Sequence, residues 1–300
     1  MVNSIEVILV PALMIIVGML LKKFNILEES HSAILSKIVL NISLPALIFL
    51  NVSTADIGGE MIFLPIIAFG FSLICMAIAF IYSKIRGYSK VKTWTIIILL
   101  AMMNTAFIGY PIVLGVFGDE GFVNAIFYDM GIALILVFFG VILSTMFGGD
   151  RKEVIKNGLS FVPLWAIVFA IIFNVFNVQI GYVLENSLNY LGESAIPLIM
   201  LSLGLTINFN EFRDYLSDTV FLTLSRLIIS PVILYAILSG IGCGGLLLQV
   251  SVLESAMPTA MNALVLAINY DLEVELVSSV IFVTTILSLL TLPVVMGFIA

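Results

Sequence analysis

The chain is 300 residues long, with 62% hydrophobic and only 10% charged side chains and a mean hydropathy of +1.24. Water-soluble domains carry roughly 45–50% apolar and about 25% charged residues, so a soluble enzyme, a nucleic-acid binder and a disordered chain are excluded. The net charge of −7 says less than the places where its 12 basic and 19 acidic residues fall.

A bilayer core about 30 Å thick takes about 20 apolar helical residues to cross. Runs on that scale occur ten times. Five lie in the first half, at Glu6–Leu21, Ile34–Ser53, Met61–Ser83, Trp94–Phe117 and Phe122–Phe147. Five follow, at Leu159–Val175, Leu188–Ile207, Val220–Ser239, Leu246–Ile268 and Val274–Ile299. Barrel strands would be about 10 residues long and alternate in polarity, so these are helices and the fold class is an all-α polytopic membrane protein. The first run carries Glu6, lacks a basic leader and precedes Lys22 and Lys23 without a small-residue cleavage site. It therefore reads as a retained span rather than a signal peptide.

The connections after the first, third, fifth and seventh runs hold Lys22, Lys23, Lys84, Arg86, Lys90, Lys92, Arg151, Lys152, Lys156 and Arg213. Those after the second, fourth, sixth and eighth hold no Lys or Arg. By the positive-inside rule the basic connections face the cytoplasm, which predicts a multi-pass protein of a prokaryotic cytoplasmic membrane with both termini outside. Lys37 and Arg226 are read as opening-turn residues of spans that start on the basic side, with the Arg226 stem long enough to snorkel to the surface. The basic stretch Lys84–Lys92 reads as a headgroup anchor.

Pro11 and Pro163, Pro45 and Pro197, and Pro111 and Pro258 fall in matching runs of the two halves. Five spans per half is odd, so the second copy enters the membrane from the opposite side, as in the inverted repeats of secondary transporters. The expected organisation is a five-helix repeat over 1–147, a cytoplasmic connector over 148–158 and an inverted five-helix repeat over 159–300.

Proline in a helix removes a backbone hydrogen bond and clashes with the preceding turn, and in lipid the freed groups must find other partners. The fourth run reads Met102-Met103-Asn104-Thr105-Ala106-Phe107-Ile108-Gly109-Tyr110-Pro111, and the ninth reads Glu254-Ser255-Ala256-Met257-Pro258-Thr259-Ala260-Met261-Asn262. If both unwind there, two half-helix N-termini suit an anion's carboxylate and the opposing C-terminal carbonyls suit a cation. Asn104, Thr105, Ser255, Thr259 and Asn262 could complete the hydrogen bonds, although the same residue types also serve close packing and kink repair. Glu254 is the sharpest candidate, because a carboxylate deep in a bilayer costs about 2.5–3.5 kcal/mol on insertion scales. It is suited to carry a proton, a bound sodium ion would hold it ionised, and a helix-end glutamate reaching for the outer surface is the plainer account. Asp129 in the fifth run is the next candidate.

Other signals carry no chemistry. Gly240-x-Gly242-x-x-Gly245 lacks the βαβ unit of a dinucleotide site. His31 stands alone, and Cys75 and Cys243 are far apart, so neither a zinc cluster, a Ser–His triad nor a disulfide framework is implied. The expectation is a protein that is not an enzyme and has no resident cofactor.

Asn41-Ile42-Ser43-Leu44-Pro45-Ala46-Leu47-Ile48-Phe49, Asn104-Thr105-x-Phe107-x-Gly109-x-Pro111, Ala256-Met257-Pro258 and Thr284-Thr285-x-x-Ser288-Leu289-x-Thr291-Leu292-Pro293 occur in that order along the chain. At these residues the chain resembles the auxin efflux carrier family, within the bile/arsenite/riboflavin transporter superfamily. The resemblance implies a scaffold of spans one, two, six and seven, a mobile transport part of spans three to five and eight to ten, and pairing as homodimers. It implies a crossing of broken helices four and nine at Pro111 and Pro258, with a small organic anion such as malate, malonate or an auxin-like acid bound beside it. Carried over residue by residue, the binding set is Asn41, Pro45, Asn104, Thr105, Gly109, Pro111, Ser255, Pro258, Thr259 and Asn262. The more distant bile-acid sodium symporters place a glutamate on the crossed ninth helix, which sets Glu254, Asn104 and Met257, with Asp129, as the coupling-ion set for Na+ or H+. The expected activity is elevator-type alternating access by a secondary transporter. The alternatives are a sodium-coupled carrier like the bile-acid symporters and an uncoupled anion uniporter or exporter.

Overall fold

The computed structural model describes residues 4–207 and 216–299. Among the described residues the backbone is helical between turns and breaks, and its only extended pairing is an isolated β-bridge between Met103 and Thr259. Among the described residues, six helices are long and apolar enough to cross a membrane: His31–Thr54, Gly59–Ile85, Thr105–Phe147, Tyr182–Thr206, Leu216–Gly240 and Val274–Ile299. Arg151–Leu159 and Val162–Val175 form a further candidate bent by 46°. The protein is thus an all-α polytopic membrane protein. Arg213, counted with the basic connections, lies outside the described residues.

The chain departs from single apolar rods in the fourth and ninth runs. The fourth stops as a helix at Ala101 and resumes at Thr105, and the ninth divides into Gly245–Ser255 and Asn262–Asn269. The helix Tyr110–Phe147 carries the chain from the fourth run into the fifth and is interrupted at Gly118, whose φ of 64° and ψ of −159° only glycine adopts without strain. The expected connector over 148–158 is largely a helix, Arg151–Leu159, laid so closely on the preceding one that Gly140 faces Val154 and Gly158 faces Val137.

Three helices widen into a π turn, and each turn ends two residues before a proline: Val39–Ser43 before Pro45, Thr105–Gly109 before Pro111 and Ser225–Ile229 before Pro231. The cause is local. A proline ring clashes with the carbonyl four residues back and offers it no N–H. A five-residue hydrogen bond then closes each turn: Leu44 N–H to Val39 O and Ser230 N–H to Ser225 O from the residue before the proline, and Gly109 N–H to Asn104 O from two residues before Pro111.

Two compact units make up the chain. One comprises Met1–Gly59, Tyr110–Ile126 and Leu159–Ile207. Within it, helices Ser4–Lys23 and Ala195–Thr206 meet backbone to backbone, since a Cβ at Gly18 would lie 2.5 Å from Leu201 O and one at Gly204 would collide with Ile15 O. Ser43 and Ser194 share a hydrogen bond of 2.7 Å, and Ser36 and Ser202 one of 3.0 Å. The Asn174 amide donates to the carbonyls of Val52, Ser53 and Ala55, closing the C-terminus of helix Leu44–Thr54.

The other unit comprises Glu60–Gly109, Phe127–Gly158 and Asn208–Ala300. Its Asp218, buried at the start of helix Leu216–Leu224, accepts from Tyr82 OH at 2.9 Å, Tyr88 OH at 2.6 Å and the Lys92 ammonium at 2.8 Å. Lys90 donates to Met146 O at 2.8 Å. The stretch read as a headgroup anchor therefore spends Lys90 and Lys92 on ties within the protein.

The glycine contact in the first unit is testable. Overpacking of this kind typically costs about 1–3 kcal/mol. Gly204→Val should lower the melting temperature of the detergent-purified protein by several degrees. Gly70→Val, where an added Cβ meets no atom within 4 Å, should leave it unchanged. Equal melting of the two variants would remove the close helix approach from what holds this unit.

Candidate functional site

The two breaks face each other within the second unit and complete one another. Asn104 N–H donates to Pro258 O at 2.9 Å, and Ala260 N–H donates to Met102 O at 3.0 Å. Met102–Asn104 and Pro258–Ala260 thus form a minimal antiparallel pair. Around it, the carbonyls that the broken helices leave open are taken up one by one. Thr259 Oγ1 donates to Leu99 O at 3.0 Å, and Thr284 Oγ1 receives Thr259 N–H at 3.3 Å.

Two further carbonyls go to Arg226. Its guanidinium is 0% exposed and donates from Nη1 to Leu100 O at 2.6 Å and from Nη2 to Ser255 O. Met103 Sδ lies 3.9 Å from Nη2. Leu100 is in the last turn of Lys90–Ala101 and Ser255 ends Gly245–Ser255, so one cation closes the C-termini of both leading half-helices. This corrects the snorkelling assignment. Arg226 lies ten residues into the helix that is described from Leu216, about 15 Å of rise from its start.

Close to the pairing lie two acidic groups. Glu254 is 0% exposed, and neither carboxyl oxygen has a hydrogen-bond partner among the described residues. It packs over the backbone of Gly109, where a Cβ would strike both carboxyl oxygens. Glycine there is what makes room for the carboxyl. Thr105 Oγ1 donates to Asp129, which draws the first π turn of the resumed helix onto the fifth run. Asn104 Nδ2 is buried without a partner.

Of the residues singled out from the sequence, the structure brings together Asn104, Thr105, Gly109, Asp129, Glu254, Ser255, Pro258 and Thr259. Met257 is buried in the ninth-run break, its N–H bonded to Glu254 O at 3.2 Å. The Ser255 hydroxyl turns back onto Val252 O at 2.7 Å, so Ser255 takes part through its carbonyl instead. Pro111 is not at the crossing. It is the second residue of Tyr110–Phe147, seven residues beyond the break, and belongs to the first unit. Asn41 and Pro45 also belong to the first unit, where the exposed Asn41 amide bonds to Lys37 O in its own helix at 2.8 Å. Asn262 is exposed at the start of Asn262–Asn269. The signal of Arg226 was there to read: a lone charge in the run Val220–Ser239, five residues ahead of Pro231.

A sodium ion at the crossing would draw on the half-helix carbonyls. Leu100 O and Ser255 O are held by the guanidinium and are not open to an added ion. Of the expected coupling-ion set, the Glu254 carboxyl and Asn104 Nδ2 are buried without a hydrogen-bond partner among the described residues.

The profile of a family described as "Membrane transport protein" matches residues 4–157 and 146–296. A transporter of Methanothermobacter thermautotrophicus is 40% identical over 293 residues, covering 97% of each chain. One of Methanocaldococcus jannaschii is 36% identical over 296 residues, covering 96% of each. The chain belongs to the auxin efflux carrier family of membrane transport proteins. A more distant member, named as a putative malonate transporter of Rhizobium meliloti, is 28% identical over 109 residues, 36% of this chain and 34% of the relative. Members of this family named in these comparisons are transporters and not enzymes, and that class covers this chain.

The closure of the crossing by Thr259 has a measurable weight. A buried carbonyl left without its donor costs about 1–3 kcal/mol. Thr259→Val should lower the melting temperature by several degrees, and Thr259→Ser should restore most of it. A valine variant that melts with the wild type would show that Leu99 O does not depend on this hydroxyl.

Proposed function

We propose that the chain is a secondary transporter of a small organic carboxylate, coupled to protons through Glu254. The observation that carries this reading is the paired crossing with a fully buried, unpartnered carboxyl beside it. A helix leaves its first N–H groups without intrahelical acceptors and carries about half a positive charge at that end. The resumed segments beginning at Thr105 and Asn262 supply two such ends, which suit an anion's carboxylate. The name of the Rhizobium meliloti relative supports a dicarboxylate of malonate's size as the substrate class. Uncoupled uniport would leave the buried Glu254 without a task.

The crossing, Arg226, Asp129 and Glu254 all belong to one compact unit. This supports an elevator-type mechanism, in which a binding site travels with a single body. On this reading the ten apolar runs are two inverted five-span repeats, with spans three to five and eight to ten as the moving part. Spans one, two, six and seven are the scaffold and the homodimer contact. The basic connections set the cytoplasmic side of the cell membrane, with both termini outside.

In proteoliposomes, uptake of labelled malonate or malate should rise with an imposed proton gradient and not with a sodium gradient. Asn104→Ala should cut uptake about tenfold, the loss of one hydrogen bond to a charged group. Glu254→Gln should abolish the response to the proton gradient. A Glu254→Gln protein that kept the wild-type pH response would take coupling away from this residue.

The orientation has its own check. In a Cys243→Ser background, Asp119→Cys should react with an impermeant thiol reagent added to whole cells, and Lys90→Cys should react only after lysis. The reverse pattern would invert the topology.

A further inference from the structure

Arg226 is a cation sealed inside the protein, and among the described residues no carboxylate forms an ion pair with it. The ion pairs Lys22–Glu29 and Lys92–Asp218 lie elsewhere and do not involve it. Leaving a guanidinium in a dry interior uncompensated is prohibitive, so something else supplies the negative charge. Its two hydrogen-bond acceptors identify the source. Leu100 O and Ser255 O close the last turns of two separate half-helices, each bearing about −0.5 of a charge at that end. Together they amount to about one negative charge, matched by one guanidinium.

Both carbonyls lack their helical donors for a reason visible in the backbone. The N–H that would reach Leu100 O belongs to Asn104, and it bonds to Pro258 O instead. The N–H that would reach Ser255 O belongs to Thr259, and it bonds to Thr284 Oγ1. The pairing of the two breaks thus creates a two-carbonyl cation site, and the helix Leu216–Gly240 delivers a cation to it. Delivery depends on the π turn Ser225–Ile229, which carries Arg226 and is closed by Ser230 Oγ donating to Ser225 O at 2.8 Å.

We infer that Arg226 is a built-in counter-ion standing where broken-helix carriers can bind a mobile metal cation, and that this end of the crossing works without sodium because the cation is covalently part of the chain. The inference deepens the transport reading, resting on the crossing as its site. Its test needs no transported substrate. Removing the guanidinium while leaving the carbonyls should convert the fixed site into one that recruits a small cation from solution.

The test is thermal unfolding of the full chain in detergent, in choline, sodium, lithium or dilute guanidinium chloride at matched ionic strength. The wild type should melt at one temperature in all four. Arg226→Ala should melt lower in choline and be raised by several degrees in sodium or dilute guanidinium, since a ligand bound only to the folded state at ten times its Kd shifts the folding equilibrium about tenfold. Arg226→Met should show the same cation response, and Arg226→Lys, which keeps the charge, should show none. A folded Arg226→Ala or Arg226→Met that is indifferent to all of these cations overturns the inference. So does a wild type that responds to sodium as strongly as the variants do. If neither uncharged variant folds in any of the salts, the inference also fails, because dilute guanidinium should replace what was deleted. Loss of malonate uptake with an intact cation response would instead refute the substrate reading and leave Arg226 in this role.

Discussion

The central constraint is that a helix cannot stop inside hydrocarbon without finding partners for the peptide groups it releases. This chain stops two helices and lets each break satisfy the other. Met102–Asn104 and Pro258–Ala260 exchange two backbone hydrogen bonds, a fragment of sheet in an otherwise helical protein. Three carbonyls of the interrupted turns, those of Leu99, Leu100 and Ser255, go to Thr259 and Arg226. Every group that positions Glu254 and Asp129 is therefore tied to a feature made by two segments about 155 residues apart, and neither segment is stable as drawn without the other.

Much of this architecture was legible because membranes simplify the reading of sequence. Run length and the sidedness of Lys and Arg define helices whatever the packing, and Glu254 and Asp129 stood out because charge in an apolar run is expensive. Pro258 does stand in the break of the ninth run, whereas Pro111 was read too literally as the break of the fourth. Pro45, Pro111 and Pro231 each widen a helix into a π turn without ending it. The break in the fourth run lies seven residues before Pro111, at Met102–Asn104, where no proline stands. What opens the helix there is a tertiary partner, the extended segment at Pro258. A pairing between distant segments leaves no local signature.

Arg226 was harder to place for a related reason. A long cationic side chain near a helix end ordinarily reaches for water, and the sequence shows the charge but not the carbonyls that wait for it. Those carbonyls become available only once Asn104 N–H and Thr259 N–H have turned to other acceptors. Asn41 and Asn262 show the converse. Their amides matched a family pattern, yet the first bonds within its own helix and the second lies exposed. Residue type signalled polarity in both, and only the backbone path decides what the polarity serves.

The charge arrangement also bears on how a carboxylate could be carried at all. Leading half-helix ends and guanidinium cancel, so the C-terminal side of the crossing is electrically closed before any ligand arrives. The resumed half-helices leave about one positive charge of dipole on the other side, which one carboxylate group would neutralise. A second carboxylate, as a dicarboxylate brings, finds no further fixed cation among the described residues at the crossing and meets Glu254 and Asp129 instead. Repulsion at that point falls when Glu254 is protonated and returns when it is not. A proton on Glu254 and an anion at the half-helix ends are then bound best together. On the proposed transport reading, that mutual dependence is what would make this a coupled carrier rather than a pore, and its source is one unpartnered carboxyl set over the backbone of Gly109.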